Sequence, residues 1–110
     1  MAVHFFKALS DDTRLQTCLL IAEQEELCVC ELVCALALSQ PKISRHLALL
    51  KEAGVLATRR DRQWVYYRID DTQPQWRQQV ITTTLNNQAE LIEDALARLQ
   101  AMDNRPSCCD

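Results

Sequence analysis

Ser39-Gln40-Pro41-Lys42-Ile43-Ser44-Arg45-His46-Leu47-Ala48-Leu49-Leu50-Lys51-Glu52-Ala53-Gly54 reads as one helix complete with its start and stop signals. Ser39 stands where a side-chain oxygen can cap the first turn, and Pro41 falls inside that turn, where proline is tolerated. Gly54 falls just past the end, where a positive φ is wanted. Ile43, Leu47 and Leu50 recur at helical spacing and define a core face, which turns Lys42 and Arg45 outward. Immediately upstream, Cys30 to Ala37 carries its own stripe (Val29, Leu32, Val33, Leu36) and is separated from the first helix only by Leu38-Ser39. Two short helices on a tight turn, the second displaying bases, are a helix-turn-helix.

After Gly54 the apolar period changes from about 3.6 to 2. Val65, Tyr67 and Ile69 alternate with Trp64, Tyr66 and Arg68, a strand pattern. Val55 to Arg59 supplies a partner strand, with the turn expected near Arg60-Asp61-Arg62. This basic-tipped hairpin is the wing of a winged helix-turn-helix. Upstream, Val3 to Leu9 reads as a short helix, and Ser10-Asp11-Asp12 caps a second one from about Thr13 to Glu23, with Cys18 on its buried face. Pro74 to about Met102 reads as a terminal helix, and Thr82-Thr83-Thr84 with Asn86-Asn87 marks where it would bend or break. Unbroken, it would run roughly 42 Å, too far for so small a domain to cover, so a second protomer is the expected partner. The expected fold is mainly α with a small β-hairpin, with residues 1–102 as one DNA-binding and dimerisation domain and 103–110 as a flexible, cysteine-containing tail.

The 110 residues, 48% of them hydrophobic, suit a single domain with a modest core. One glycine and three prolines leave little turn material for an all-β fold. No apolar run reaches the roughly 18 residues of a membrane span, and the first residues lack the zones of a signal peptide. A cytoplasmic protein with reduced thiols is therefore expected. The net charge of -3 hides a segregation: from Lys42 to Arg68 seven bases stand against two acids, while the rest holds five bases and thirteen acids. A basic footprint on an acidic body fits DNA binding.

Cys28, Cys30 and Cys34 place three thiols within seven residues, directly before the reading helix. Clustered thiolates suit soft ions rather than hard, oxygen-seeking cations. Residues two apart on a helix point about 200° apart, so Cys28 must lie at or before the helix start to share an ion with Cys30. Cys30 and Cys34 form an i, i+4 pair on one face. A helix N-terminus lowers thiol pKa, which makes thiolates available there.

Leu9-Ser10-Asp11-Asp12-Thr13-Arg14-Leu15, Glu26-Leu27-Cys28-Val29-Cys30-Glu31-Leu32, Ser39 through Leu50 and Trp64 through Arg68 together resemble the ArsR family of metal- and metalloid-responsive repressors. The closest likeness is to its arsenite and antimonite sensors, and it covers almost the whole chain. The resemblance implies a homodimer that binds operator DNA when ligand-free and lets go when As(III) or Sb(III) binds as inducer, with no organic cofactor and no enzymatic activity. Trivalent arsenic takes up to three thiolates, so Cys28 and Cys30 are the implied ligands. Cys34 is either the third ligand or a surface substitute, because Val33 holds the position where similar proteins place their third cysteine. Cys108 and Cys109 read either as further ligands or as a frayed tail. Similar proteins carry a glycine in the wing turn where this chain has Arg62.

On the reading helix Arg45 is the candidate for a guanine edge, Gln40 and Ser44 for base or phosphate contacts, and Lys42 for phosphate. His46 reads equally as a DNA contact or a packing residue. Arg59, Arg60 and Arg62 would reach backbone or minor groove from the wing. Rival readings are a zinc or cadmium sensor, a redox-sensing repressor and a thiol enzyme such as an arsenate reductase. The last needs an anion-cradling loop beside a cysteine, for which the lone Gly54 offers no material.

Overall fold

The computed structural model describes residues 2–102 and Arg105. Helix α1 spans Ala2–Leu9 and α2 spans Asp12–Gln24. The α2 cap is Asp11, whose Oδ2 accepts the Arg14 backbone N–H at 3.0 Å. Ser10, expected to open that cap, instead turns its hydroxyl back onto the Lys7 carbonyl at 2.7 Å. Strand β1 (Leu27–Cys28), α3 (Val29–Leu36) and α4 (Gln40–Glu52) follow. The turn between α3 and α4 passes through Ala37 in the left-handed region at φ 55.

Helix α4 carries its core stripe as its spacing requires, with Ile43, Leu47 and Leu50 no more than 1% exposed. Ser39 occupies the N-cap position in extended backbone, yet its side chain makes no capping bond, and Pro41 sits in the first turn. The far end closes as a Schellman motif: Gly54 N–H donates to the Lys51 carbonyl and Val55 N–H to the Leu50 carbonyl, both at 3.0 Å. That closure needs Gly54 at φ 78, and it drops Val55 into the core.

Strands β2 (Leu56–Asp61) and β3 (Trp64–Ile69) form the wing. Pairing continues to Asp61↔Trp64, so the strand ends two positions beyond the expected Arg59 and the turn is Arg62-Gln63. Arg62 adopts φ 60 there. A third strand, absent from the sequence reading, completes an antiparallel sheet of order β1-β3-β2. Strand β1 is only two residues long and pairs Leu27 with Tyr67 and Cys28 with Tyr66.

The terminal segment breaks where its poor helix formers lie. Helix α5 (Gln75–Asn87) ends at Gln88, φ -132 and ψ 37. A 3-10 turn (Ala89–Ile92) and α6 (Glu93–Gln100) follow. Thr84 Oγ1 donates to the Val80 carbonyl at 2.7 Å and Asn87 Nδ2 to the Thr83 carbonyl at 2.8 Å, side-chain bonds of the kind that compete with the helix ladder. The break lets α6 fold back onto α3, where Arg98 Nε donates to the Ala35 carbonyl at 2.7 Å. Ile81, Ile92 and Leu99 thereby join Phe5, Leu19, Leu20 and Leu32 in one core. Among the described residues no helix is long and apolar enough to cross a membrane.

Candidate thiol centre and nucleic-acid interface

Cys28 ends β1 and is the N-cap of α3, with extended backbone at φ -93 and ψ 171. This departure from helical geometry turns its side chain toward the next turn, and Cys28 Sγ lies 3.4 Å from Cys30 Sγ. The Cys28 backbone N–H donates to Glu31 Oε1 at 2.9 Å. Glu31 is buried, and its other oxygen, Oε2, accepts from Arg105 Nε at 2.7 Å. Arg105 also donates through Nη2 to Gln24 Oε1 at 3.3 Å.

The Cys28 thiol is pushed above its ordinary 9.0, chiefly by burial and further by the Glu31 carboxylate, against the lowering effect of the Glu31 and Cys30 backbone N–H groups. At Cys28 desolvation thus outweighs the helix-end amides. Cys18 lies fully buried in α2, as its position on the apolar stripe requires, and burial pushes its thiol up to about 12.

Cys34 is half-buried against α6, its Sγ 3.9 Å from the Arg98 carbonyl oxygen. Cys18, Cys28 and Cys34 are free thiols, whereas Cys30 is disulfide-bonded, which departs from the expectation of fully reduced cysteines. Among the described residues no three His, Cys, Asp or Glu side chains are grouped so as to hold a metal ion. Cys108 and Cys109 lie outside the described residues.

On the outward face of α4 Gln40, Lys42, Ser44 and Arg45 are exposed. His46 is half-buried at the edge of that face, its Nδ1 3.3 Å from Arg14 Nη1. Arginine can only donate, so Nδ1 accepts and the imidazole proton sits on Nε2. Arg14 is itself held by the Ala8 carbonyl, which accepts from its Nε at 2.7 Å. Arg60 and Arg62 are exposed at the wing tip. Arg59 differs: its Nε donates to Glu26 Oε2 at 2.8 Å, its Nη2 to Glu26 Oε1, and its guanidinium lies 4.5 Å from the Tyr66 ring centroid.

Glu26, Glu31 and Arg105 escaped the sequence reading. Cys28-Val29-Cys30-Glu31 has the spacing of a capping box, an acid three residues after the cap, and that signal could have found Glu31. Glu26 and Arg105 depend on long-range contacts that no local pattern announces.

The model of the bacterial regulatory protein arsR family matches residues 11–58. The chain is 51% identical over 108 residues to the arsenic resistance transcriptional regulator ArsR2 of Pseudomonas putida, covering 94% of each chain. It is 57% identical over 102 residues to ArsR1 of the same organism, covering 92% of this chain and 79% of that one. Among solved structures, HlyU from Vibrio cholerae superposes with a TM-score of 0.72 at 33% identity, over 80% of this chain and 91% of that one. The antimony-specific transcriptional repressor AntR gives 0.67 at 28% identity, over 81% and 78%. The wing sheet, the helix-turn-helix and this likeness over nearly the full length converge: the chain belongs to the arsR family of bacterial regulatory proteins.

Proposed function

We propose that this protein is a homodimeric, cytoplasmic repressor that binds operator DNA when ligand-free and dissociates when As(III) or Sb(III) is taken up by Cys28 and Cys30 in their reduced form. The observation that carries the reading is the 3.4 Å separation of the two sulfurs at the start of the helix that precedes the reading helix. Two sulfurs each about 2.3 Å from one ion stand roughly 3.3 to 3.8 Å apart for bond angles between a right angle and tetrahedral. Soft donors at that spacing fit a soft, thiophilic ion. The third thiolate is Cys34, once freed from α6, or one of the tail pair: Arg105 is anchored beside Cys28 by Glu31, and the three residues on to Cys108 reach roughly 10 Å.

Protonation favours a metalloid over zinc or cadmium. Arsenite arrives as the neutral trihydroxide, and each thiol that replaces a hydroxide forms one As–S bond and releases one water, so the thiol proton leaves in that water. A divalent cation must drive the proton into solvent instead. Burial pushes the Cys28 thiol up, a direction that weighs against the cation.

Drawing a third thiolate onto the ion already spanned by Cys28 and Cys30 strains the first turn of α3 and shifts α4 with it. The two reading helices of the dimer then lose the spacing of roughly 34 Å that symmetric half-sites require, and a coupling of about 1–3 kcal/mol suffices for release. Arg45, Gln40, Ser44 and Lys42 make the groove and phosphate contacts, His46 offers Nε2–H at their edge, and Arg60 and Arg62 reach backbone from the wing. A redox-responsive reading has one observation in its favour, the disulfide at Cys30. Anisotropy of labelled operator, titrated with arsenite, antimonite, zinc, cadmium and peroxide, separates the two readings. The double variant Cys28→Ser, Cys30→Ser should hold operator normally and ignore arsenite; normal arsenite-driven release by it refutes the site.

A further inference from the structure

Strand β1 is held on two sides. Its backbone pairs with β3, Cys28 opposite Tyr66. Glu26, one residue before it, is clamped to Arg59 of β2, and that guanidinium stacks over the same Tyr66. The residue that ends this strand is also the N-cap of α3 and contributes one sulfur of the thiol pair. Cys28 is therefore the point where the wing sheet meets the helix-turn-helix: the sulfur pair is already spaced for one ion with the strand in register, so it is the recruitment of a third thiolate to that ion that pulls on a residue tied to Tyr66.

We propose that Glu26 and Arg59 are positioning residues that brace the wing to the thiol centre, so that occupancy of Cys28 strips β1 from β3, releases Arg59 from Glu26 and disengages the wing together with the reading helix. The inference rests on the reading of Cys28 and Cys30 as the inducer's ligands. It assigns Arg59 a role different from that of Arg60 and Arg62: they meet phosphate, whereas Arg59 faces Glu26 and Tyr66 and holds the hairpin in its DNA-competent pose. The brace lies at the surface, where charge-to-amide substitutions leave the core untouched, so Glu26→Gln and Arg59→Gln are expected to fold.

The test compares reduced parent, E26Q, R59Q and the double variant by operator anisotropy with and without arsenite, alongside arsenite uptake measured by thiol protection. At saturating arsenite all four should take up the same number of ions, with the variants binding no more weakly than the parent, since a brace that arsenite must break opposes its binding. The arsenite-driven loss of operator affinity should be at least about tenfold smaller in E26Q and R59Q than in the parent, and the double variant should be no worse than either single, as for two residues acting as one unit. Amide exchange across 64–69 should quicken on arsenite addition in the parent and be already fast in E26Q. Undiminished release by E26Q or R59Q, with the parent taking up arsenite at Cys28 and Cys30, overturns the brace alone. A parent whose Cys28 and Cys30 take up no arsenite overturns the thiol-centre reading and the brace with it.

Discussion

Cys28 belongs to two elements at once, and its chemistry follows from that position. As the last residue of β1 it is buried, which raises its thiol; as the N-cap of α3 it receives helix-end amides, which lower it; the upward effect is the larger. Cys18 is fully buried with only the Arg14 charge to oppose it, and its thiol rises from 9.0 to about 12. A folded-state value above the unfolded one means stability that is fully present below pH 9.0 and lost as the pH climbs toward about 12. Urea midpoints should accordingly fall between pH 8 and pH 11, and Cys18→Ala should remove part of that slope. At the wing turn, Arg62 sits at φ 60 without being glycine, a backbone state that disfavours a Cβ by roughly 1 kcal/mol. Arg62→Gly should raise stability by about that amount in urea denaturation. The same variant should lower the magnitude of the log–log salt slope of operator binding by about one, the signature of one lost phosphate contact.

Among the elements, α3 carries the largest functional burden on the shortest frame. It is eight residues long, below the length at which an isolated helix holds in water, so its start depends on Glu31 and its end on Arg98 from α6. Glu31→Ala should cost about 1–3 kcal/mol, because the buried Cys28 N–H then loses its acceptor. Glu31→Gln should cost less, since an amide oxygen still accepts that bond. Both variants remove a carboxylate that raises the Cys28 thiol, so alkylation of Cys28 should accelerate at neutral pH; an unchanged rate–pH profile would contradict this assignment. The reading helix was legible in detail because a periodic core stripe, a first-turn proline and a terminal glycine are all local signals. The break after Asn87 was half-legible: the weak helix formers marked the place, but the return of α6 onto α3 follows from burying Ile92 and Leu99, which no local signal specifies.

At the scale of the molecule, one apolar face is left open among the described residues. Phe5, Phe6 and Trp76 form an aromatic cluster between α1 and α5, with ring centroids 5.2 to 5.9 Å apart. Phe5 is buried, while Val3, Phe6 and Trp76 remain 69%, 49% and 40% exposed. A second copy of the chain is the proposed cover, and Phe6→Asp should shift sedimentation toward monomer and weaken operator binding, because a single half-site forfeits the contacts of the other. A dimer of undiminished stability in that variant would place the interface elsewhere.

By itself the sequence determined the helix-turn-helix, the wing, the placement of Cys28 outside the helix and the basic face of α4, because period, caps and charge act over a few residues. Tertiary structure alone decided that β1 joins the wing sheet, that Cys34 faces α6, that Glu31 is shared between Cys28 and Arg105, and that Arg59 is held by Glu26. Each of these joins residues far apart in the chain, and each depends on which buried surfaces pack together. Burial likewise set the direction in which the Cys28 thiol moves, since desolvation is a property of the surroundings and not of the residue's place on a helix.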